Sequence, residues 1–227
     1  RIRAGLVALG AFALIQLSPL TASAAKGDAE LAAAKTLLAS SEHDEIEAGI
    51  QSLGLIGTPA VVAPLIERIR AGLPADLLET GLVTLMALGQ PQAAPLFFEL
   101  ASHRRPDVRI RSIEGIVALK PKGGEEALQK LLSDIDPKVR SAAALGLGAL
   151  KATNSVEILF RALDHGTFEA SQAIGQSLRS DQVPRLLGYL GTVPFRSLAP
   201  ALTEILRRKA PKNPITSAIE IAVNNLA

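Results

Sequence analysis

The apolar residues fall into short amphipathic blocks that return at a nearly constant spacing. Arg105-Pro106-Asp107-Val108-Arg109 lies over Asp136-Pro137-Lys138-Val139-Arg140 at an offset of 31, and Pro, Val and Arg coincide. At the same offset Gly115 falls on Gly146, and Ala118-Leu119-Lys120 falls on Ala149-Leu150-Lys151. Upstream, Gly81-Leu82 and Ala87-Leu88-Gly89 match Gly49-Ile50 and Leu55-Ile56-Gly57 at an offset of 32. Downstream, Gly175 and Leu178-Arg179 give a shorter step of 28 or 29. A period of this size marks a repeat architecture, in which each unit is one supersecondary element that buries its apolar face only against its neighbours.

Each unit predicts two helices. A first helix ends near Gly57, Gly89, Lys120, Lys151 or Arg179. A short turn follows, holding Thr58-Pro59, Gly123-Gly124 or Asn154-Ser155. Thr58 is a good N-cap, and Pro59 suits the first helical position, where its missing N–H costs nothing. Glu125 and Glu126 fall in a first turn, where the helix dipole favours them. Second helices are predicted over 61–70 and 125–132. Gly49, Gly81, Gly115, Gly146 and Gly175 recur inside the first helices, although each costs about 1 kcal/mol against Ala there. Recurrence at the repeat period points to close helix approach. Residues 28–40 predict an N-terminal capping helix and 214–227 a C-terminal one, with a degenerate sixth unit near 193–210.

Asp136-Pro137-Lys138-Val139-Arg140-Ser141-Ala142-Ala143-Ala144-Leu145-Gly146 resembles the short HEAT repeat, the subtype also found in phycobilisome lyases. The match is strongest over 105–165 and extends more loosely over 28–210. The resemblance implies an all-α, right-handed α-α superhelix of five to six helix pairs. It also implies that Arg109 and Arg140 pair with an acidic residue of a neighbouring repeat, which would fix the stacking register. Other repeat families fit less well. Thr58-Pro59 lacks the Leu-His that follows in ankyrin repeats, and the aromatic positions of tetratricopeptide repeats are missing.

The first 25 residues have a different pattern. Arg1 and Arg3 precede an uncharged apolar run over 4–17, broken by Ser18-Pro19 and followed by Thr21-Ala22-Ser23-Ala24-Ala25. This is the pattern of a secretory signal peptide, with the cut expected after Ala24 or Ala25. A membrane anchor is the alternative, but 14 apolar residues fall short of the ~20 that a span needs. The expected organisation is a signal peptide over 1–25 and a solenoid over 26–227, exported to the periplasm or beyond.

Composition agrees with close helix stacking. Hydrophobic residues are 48% of the chain but aromatics only 3%, with no Trp and one Tyr. Absence of Cys excludes disulfides, thiolate metal sites and a Cys nucleophile. Without Arg1 and Arg3, 22 basic residues balance 22 acidic ones, so the basic pI does not signal nucleic-acid binding. The charge is unevenly placed. Residues 26–103 carry 4 basic and 10 acidic side chains, and 104–227 carry 18 and 12. An elongated array turns that split into an end-to-end gradient.

Catalytic chemistry finds little support. His43, His103 and His165 are the only histidines, and no second cluster completes a coordination shell around any of them. No Gly-rich phosphate loop occurs in a strand–helix setting. Neither a cofactor nor a metal is expected. Lyase-like binding of a small molecule is a possibility from the resemblance, set against the export pattern and the scarcity of aromatics. Polyanion binding by the basic C-terminal half is a third reading.

In arrays of this family the second helices line the concave surface. Glu67, Glu99, Lys130, Arg161 and Tyr189 take equivalent places there, at steps of 32, 31, 31 and 28. They form a stripe that is acidic at one end and basic toward the other. Phe98 and Phe160 precede two of them, as exposed anchors or as core. The expected function is a non-catalytic scaffold that binds a protein partner of unknown identity along this stripe.

Overall fold

The computed structural model describes the backbone of residues 19–208 and of Ile221, and the side chains of 26–207 and of Ile221. Residues 1–18 of the signal peptide expected over 1–25, and the C-terminal helix expected over 214–227, Ile221 apart, lie outside the described residues. Among the described residues there are twelve α-helices and no strand.

Helix α1 (Pro19–Leu38) is longer than the expected cap over 28–40 and takes in the small-residue stretch 21–25. Five helix pairs follow. They are α2 (His43–Ile56) with α3 (Val62–Ala71), α4 (Ala75–Leu88) with α5 (Ala94–Leu100), and α6 (Pro106–Leu119) with α7 (Gly124–Leu131). Then come α8 (Pro137–Ala149) with α9 (Val156–Asp164), and α10 (Ala170–Ser177) with α11 (Val183–Leu187). Helix α12 (Phe195–Arg208) stands where the degenerate sixth unit is predicted. Among the described residues, no helix is long and apolar enough to cross a membrane.

The first helices stack on one another in sequence, α2 on α4, α4 on α6, α6 on α8, α8 on α10 and α10 on α12. The second helices pack chiefly against the first helix of the following pair, α3 on α4, α5 on α6, α7 on α8 and α9 on α10. One continuous apolar core runs through the stack, with Ile50, Leu85, Phe97, Ile116, Leu147 and Phe160 fully buried. Small residues set the spacing of the first helices. A Cβ on Gly49 would lie 2.7 Å from the Leu38 backbone nitrogen of α1. A Cβ on Gly175 would lie 2.5 Å from Cα of Ala201 in α12. At Gly115 and Gly146 the limit is instead a side chain of the preceding second helix, the Phe97 ring of α5 and Leu128 of α7.

The repeat register is visible in the helix ends. Helices α2 and α4 close on Gly57 (φ 67°) and Gly89 (φ 62°) in the left-handed region. At the equivalent place α6 closes on Lys120 (φ 48°, ψ 49°), and Lys151 after α8 has φ 53°. A side chain in that region costs about 1 kcal/mol, which Gly avoids at some loss of unfolded-state freedom. Lys120→Gly is therefore expected to raise Tm by about 1–2 °C, read by thermal denaturation. Thr58 makes no side-chain capping bond, whereas Asp136 accepts from the Lys138 amide at 2.7 Å and caps α8.

Candidate binding face

The second helices approach each other less closely than the first helices do. Side chains bridge the gap. Arg70 of α3 donates Nε and Nη2 to Glu99 of α5, at 3.1 and 2.8 Å. Ser155, at the start of α9, donates to Glu125 at 2.5 Å and accepts from Gln129 at 2.8 Å, both on α7. Arg185 of α11 donates to Glu157 of α9 at 2.7 Å and lies 4.0 Å over the Phe160 ring. Tyr189, just after α11, stacks on Phe160 at 5.9 Å and donates its hydroxyl to Asp164 at 2.5 Å. Burial raises the Tyr189 pKa, and the hydrogen bond to Asp164 raises it further.

This layer sorts the expected stripe into two groups. Glu99 and Tyr189 tie adjacent repeats together. Phe160 is fully buried and Phe98 is half-buried against the core, so Phe160 is core and not an exposed anchor. The reason is the register: the residue preceding Arg161 faces inward toward α11. Glu67, Lys130 and Arg161 remain. Each is exposed, on α3, α7 and α9, and no hydrogen bond or ion pair joins it to another described residue. The acidic-to-basic order along the stripe is kept by these three, while Arg70 offsets the charge of Glu99.

The two inter-repeat arginines also differ. Arg109 forks Asp134, with Nε on Oδ2 at 2.8 Å and Nη2 on Oδ1 at 2.6 Å. Its Nη1 donates to the carbonyls of His103 and Arg104, at 2.9 and 3.3 Å. Arg109 and Asp134 are each only 9% exposed. Arg140 makes the same carbonyl contacts one repeat later, with Nη1 on the Asp134 and Ile135 oxygens at 2.9 and 3.1 Å. It has no carboxylate partner among the described residues, contrary to the expectation of an acidic partner. The reason lies in the sequence: the place equivalent to Asp134 is His165, 31 residues on.

Nothing assembles a metal site among the described residues, where no group of three or more His, Asp and Glu converges. His43 Nε2 donates to the Asp76 carboxylate at 2.5 Å on the first-helix side, and that bond raises the His43 pKa. The ties that sequence reading missed, Arg70–Glu99 and Glu157–Arg185, were marked by opposite charges 29 and 28 residues apart on successive second helices.

Comparison with known proteins agrees with the architecture. Residues 94–179 match the family model described as HEAT repeats. The structure of the complex of CpcE and CpcF of phycocyanin lyase from Nostoc sp. PCC7120 is similar, with a TM-score of 0.52 and 18% identity. That match covers 99% of this chain and 100% of the other. An engineered protein gives a TM-score of 0.46 at 15% identity, over 86% of this chain and 96% of its own. No curated protein matches the sequence. At 18% identity the likeness to the CpcE and CpcF complex is one of fold.

Proposed function

From the premise that the chain is a HEAT-like repeat protein, we propose that it is an exported, non-catalytic scaffold that docks a protein partner on the face of its second helices. The observation that carries this reading is the register of Glu67, Lys130 and Arg161. Three charged side chains stand exposed at equivalent places, while their neighbours in the same layer are engaged in inter-repeat ties. Unpaired charges at repeat spacing give a partner its orientation and speed its encounter. The leader-like residues 1–25 support the export part of the reading.

The test is a reversal of the basic end. Lys130→Glu and Arg161→Glu together should weaken capture of the partner from the cell envelope at least tenfold, with the far-UV spectrum unchanged. Capture equal to wild type would overturn the docking face.

A lyase-associated role is the second reading, favoured by the likeness to the CpcE and CpcF complex. It needs an enclosed pocket with convergent polar groups. A recess of about 520 Å3 between α1 and α3 is open, and its lining is mostly apolar, with Leu38, Ala60, Ala63 and Ala71 beside Lys35 and Glu67. That lining suits a shallow contact better than an enclosed ligand.

A further inference from the structure

We propose that the recess beside Arg140 is a carboxylate-binding pocket, created where the repeat lost its internal acid. The inference starts from a comparison of two repeats within the chain. Arg109 and Arg140 occupy the same place and bind the preceding turn through the same Nη1 contacts. In the first repeat, the Nε–Nη2 edge of the guanidinium is filled by the Asp134 carboxylate. In the second, the residue 31 positions on from Asp134 is His165, which lines the same recess as Arg140. The fork edge of Arg140 is left without an ion pair among the described residues. The Asp134 carboxylate is near enough to feel the Arg140 charge, but Arg109 already holds both its oxygens.

The recess beside Arg140 has an apolar floor of Leu132, Ile158 and Ala162 and a cationic and polar remainder. Arg140, Arg161 and His165 line one recess of about 200 Å3, together with Ser133 and Thr167. No carboxylate lines it. Arg161 is exposed and without a partner among the described residues. Two arginines on one small recess, with no carboxylate among its lining, suit a planar carboxylate, which Arg binds through two parallel N–H···O bonds. The Arg109–Asp134 pair is the internal example of that fit. The volume admits one acidic group and little more.

A carboxylate can arrive on an acidic side chain of a docked protein or as a free small acid. The pocket rests on the docking reading only for the first source, since Arg161 belongs to both. The full-length chain without its leader is titrated calorimetrically with succinate and with a short capped peptide carrying two aspartates. Saturable binding is expected, tighter for the peptide if a partner supplies the acid and no tighter if a free acid is the ligand. His165→Asp puts a carboxylate of the chain's own into the recess beside Arg140, so it should abolish binding and raise Tm. Arg161→Gln, whose side chain makes no contact that the fold needs, should weaken binding about tenfold, and Lys122→Gln on the distant α6–α7 turn should not. The proposal falls if neither probe saturates by tens of millimolar, or if His165→Asp or Arg161→Gln binds as wild type does. Failure of both probes beside an Arg161-dependent partner capture would remove the pocket and leave the docking face standing.

Discussion

Arg109→Ala is expected to destabilise the protein by about 3 kcal/mol, the low end of the range for breaking a buried ion pair. The guanidinium makes four hydrogen bonds, two to Asp134 and two to the turn before α6. Removing it leaves Asp134 buried, charged and short of partners. A loss of that size lowers Tm by roughly 6–12 °C in a chain of this length. Arg109→Lys keeps the charge but not the fork, and should recover only part of the loss. Acid provides an independent check. Burial pushes the Asp134 carboxyl up, but the Arg109 bonds, the Asp136 amide and nearby positive charge outweigh it, so its pKa lies below the ordinary 3.8. A depressed carboxylate stabilises the fold fully above the unfolded-state pKa, and that stability is lost as pH falls through the folded value. Wild type should therefore exceed Asp134→Asn in urea melts at pH 7, with the gap closing as the pH falls below about 4. A gap that stays constant down to pH 2 would mean that the ion pair contributes nothing.

The repeat period, the helix pairs and the glycine positions were legible in the sequence because stacking constrains them directly. Every first helix must approach its neighbours in the stack, and the Gly49 and Gly175 places answer to that contact, while Gly115 answers to Phe97 of the preceding second helix. The stripe on the second helices was legible only as an address. Repeat spacing put Glu99 and Tyr189 beside Lys130 and Arg161, but it did not say which of them already had partners. That depends on residues one repeat away, such as Arg70 for Glu99 and Asp164 for Tyr189. Phe160 shows the same limit. An aromatic next to an exposed Arg reads as either anchor or core, and only the stacking of Tyr189 and Arg185 over its ring settles it as core.

Arg140 carries the clearest lesson about reading repeats. Matching it to Arg109 by spacing was sound, since both make the same contacts to the preceding turn. Assigning it an acidic partner by the same logic was not, because the two halves of the pair vary independently. Asp134 and His165 are separated by the repeat distance of 31, as Arg109 and Arg140 are. Reading both columns together exposes the missing acid without any structure.

Gly175→Val should produce the sharpest packing defect in the molecule. A Cβ there would stand 2.5 Å from Cα of Ala201 and 2.9 Å from its carbonyl oxygen. Those atoms are backbone, so no rotamer change relieves the clash, and α10 and α12 must separate. Overpacking of this kind costs about 1–3 kcal/mol when the neighbours can shift, and more when they cannot. Leu198, Leu202 and Ile205 on α12 are buried in the common core, and separation would expose them. The expected result is a Tm lower by several degrees, with amide exchange accelerated chiefly in α12. Gly81→Ala is the contrast. Its added Cβ would come closest to the Ile69 Cδ1 tip, at 3.3 Å, and would meet side-chain atoms alone, which can shift. Relief of the helical Gly penalty of about 1 kcal/mol should then leave stability unchanged or slightly higher. If both variants melt alike, backbone approach is not what holds the C-terminal helix on the stack.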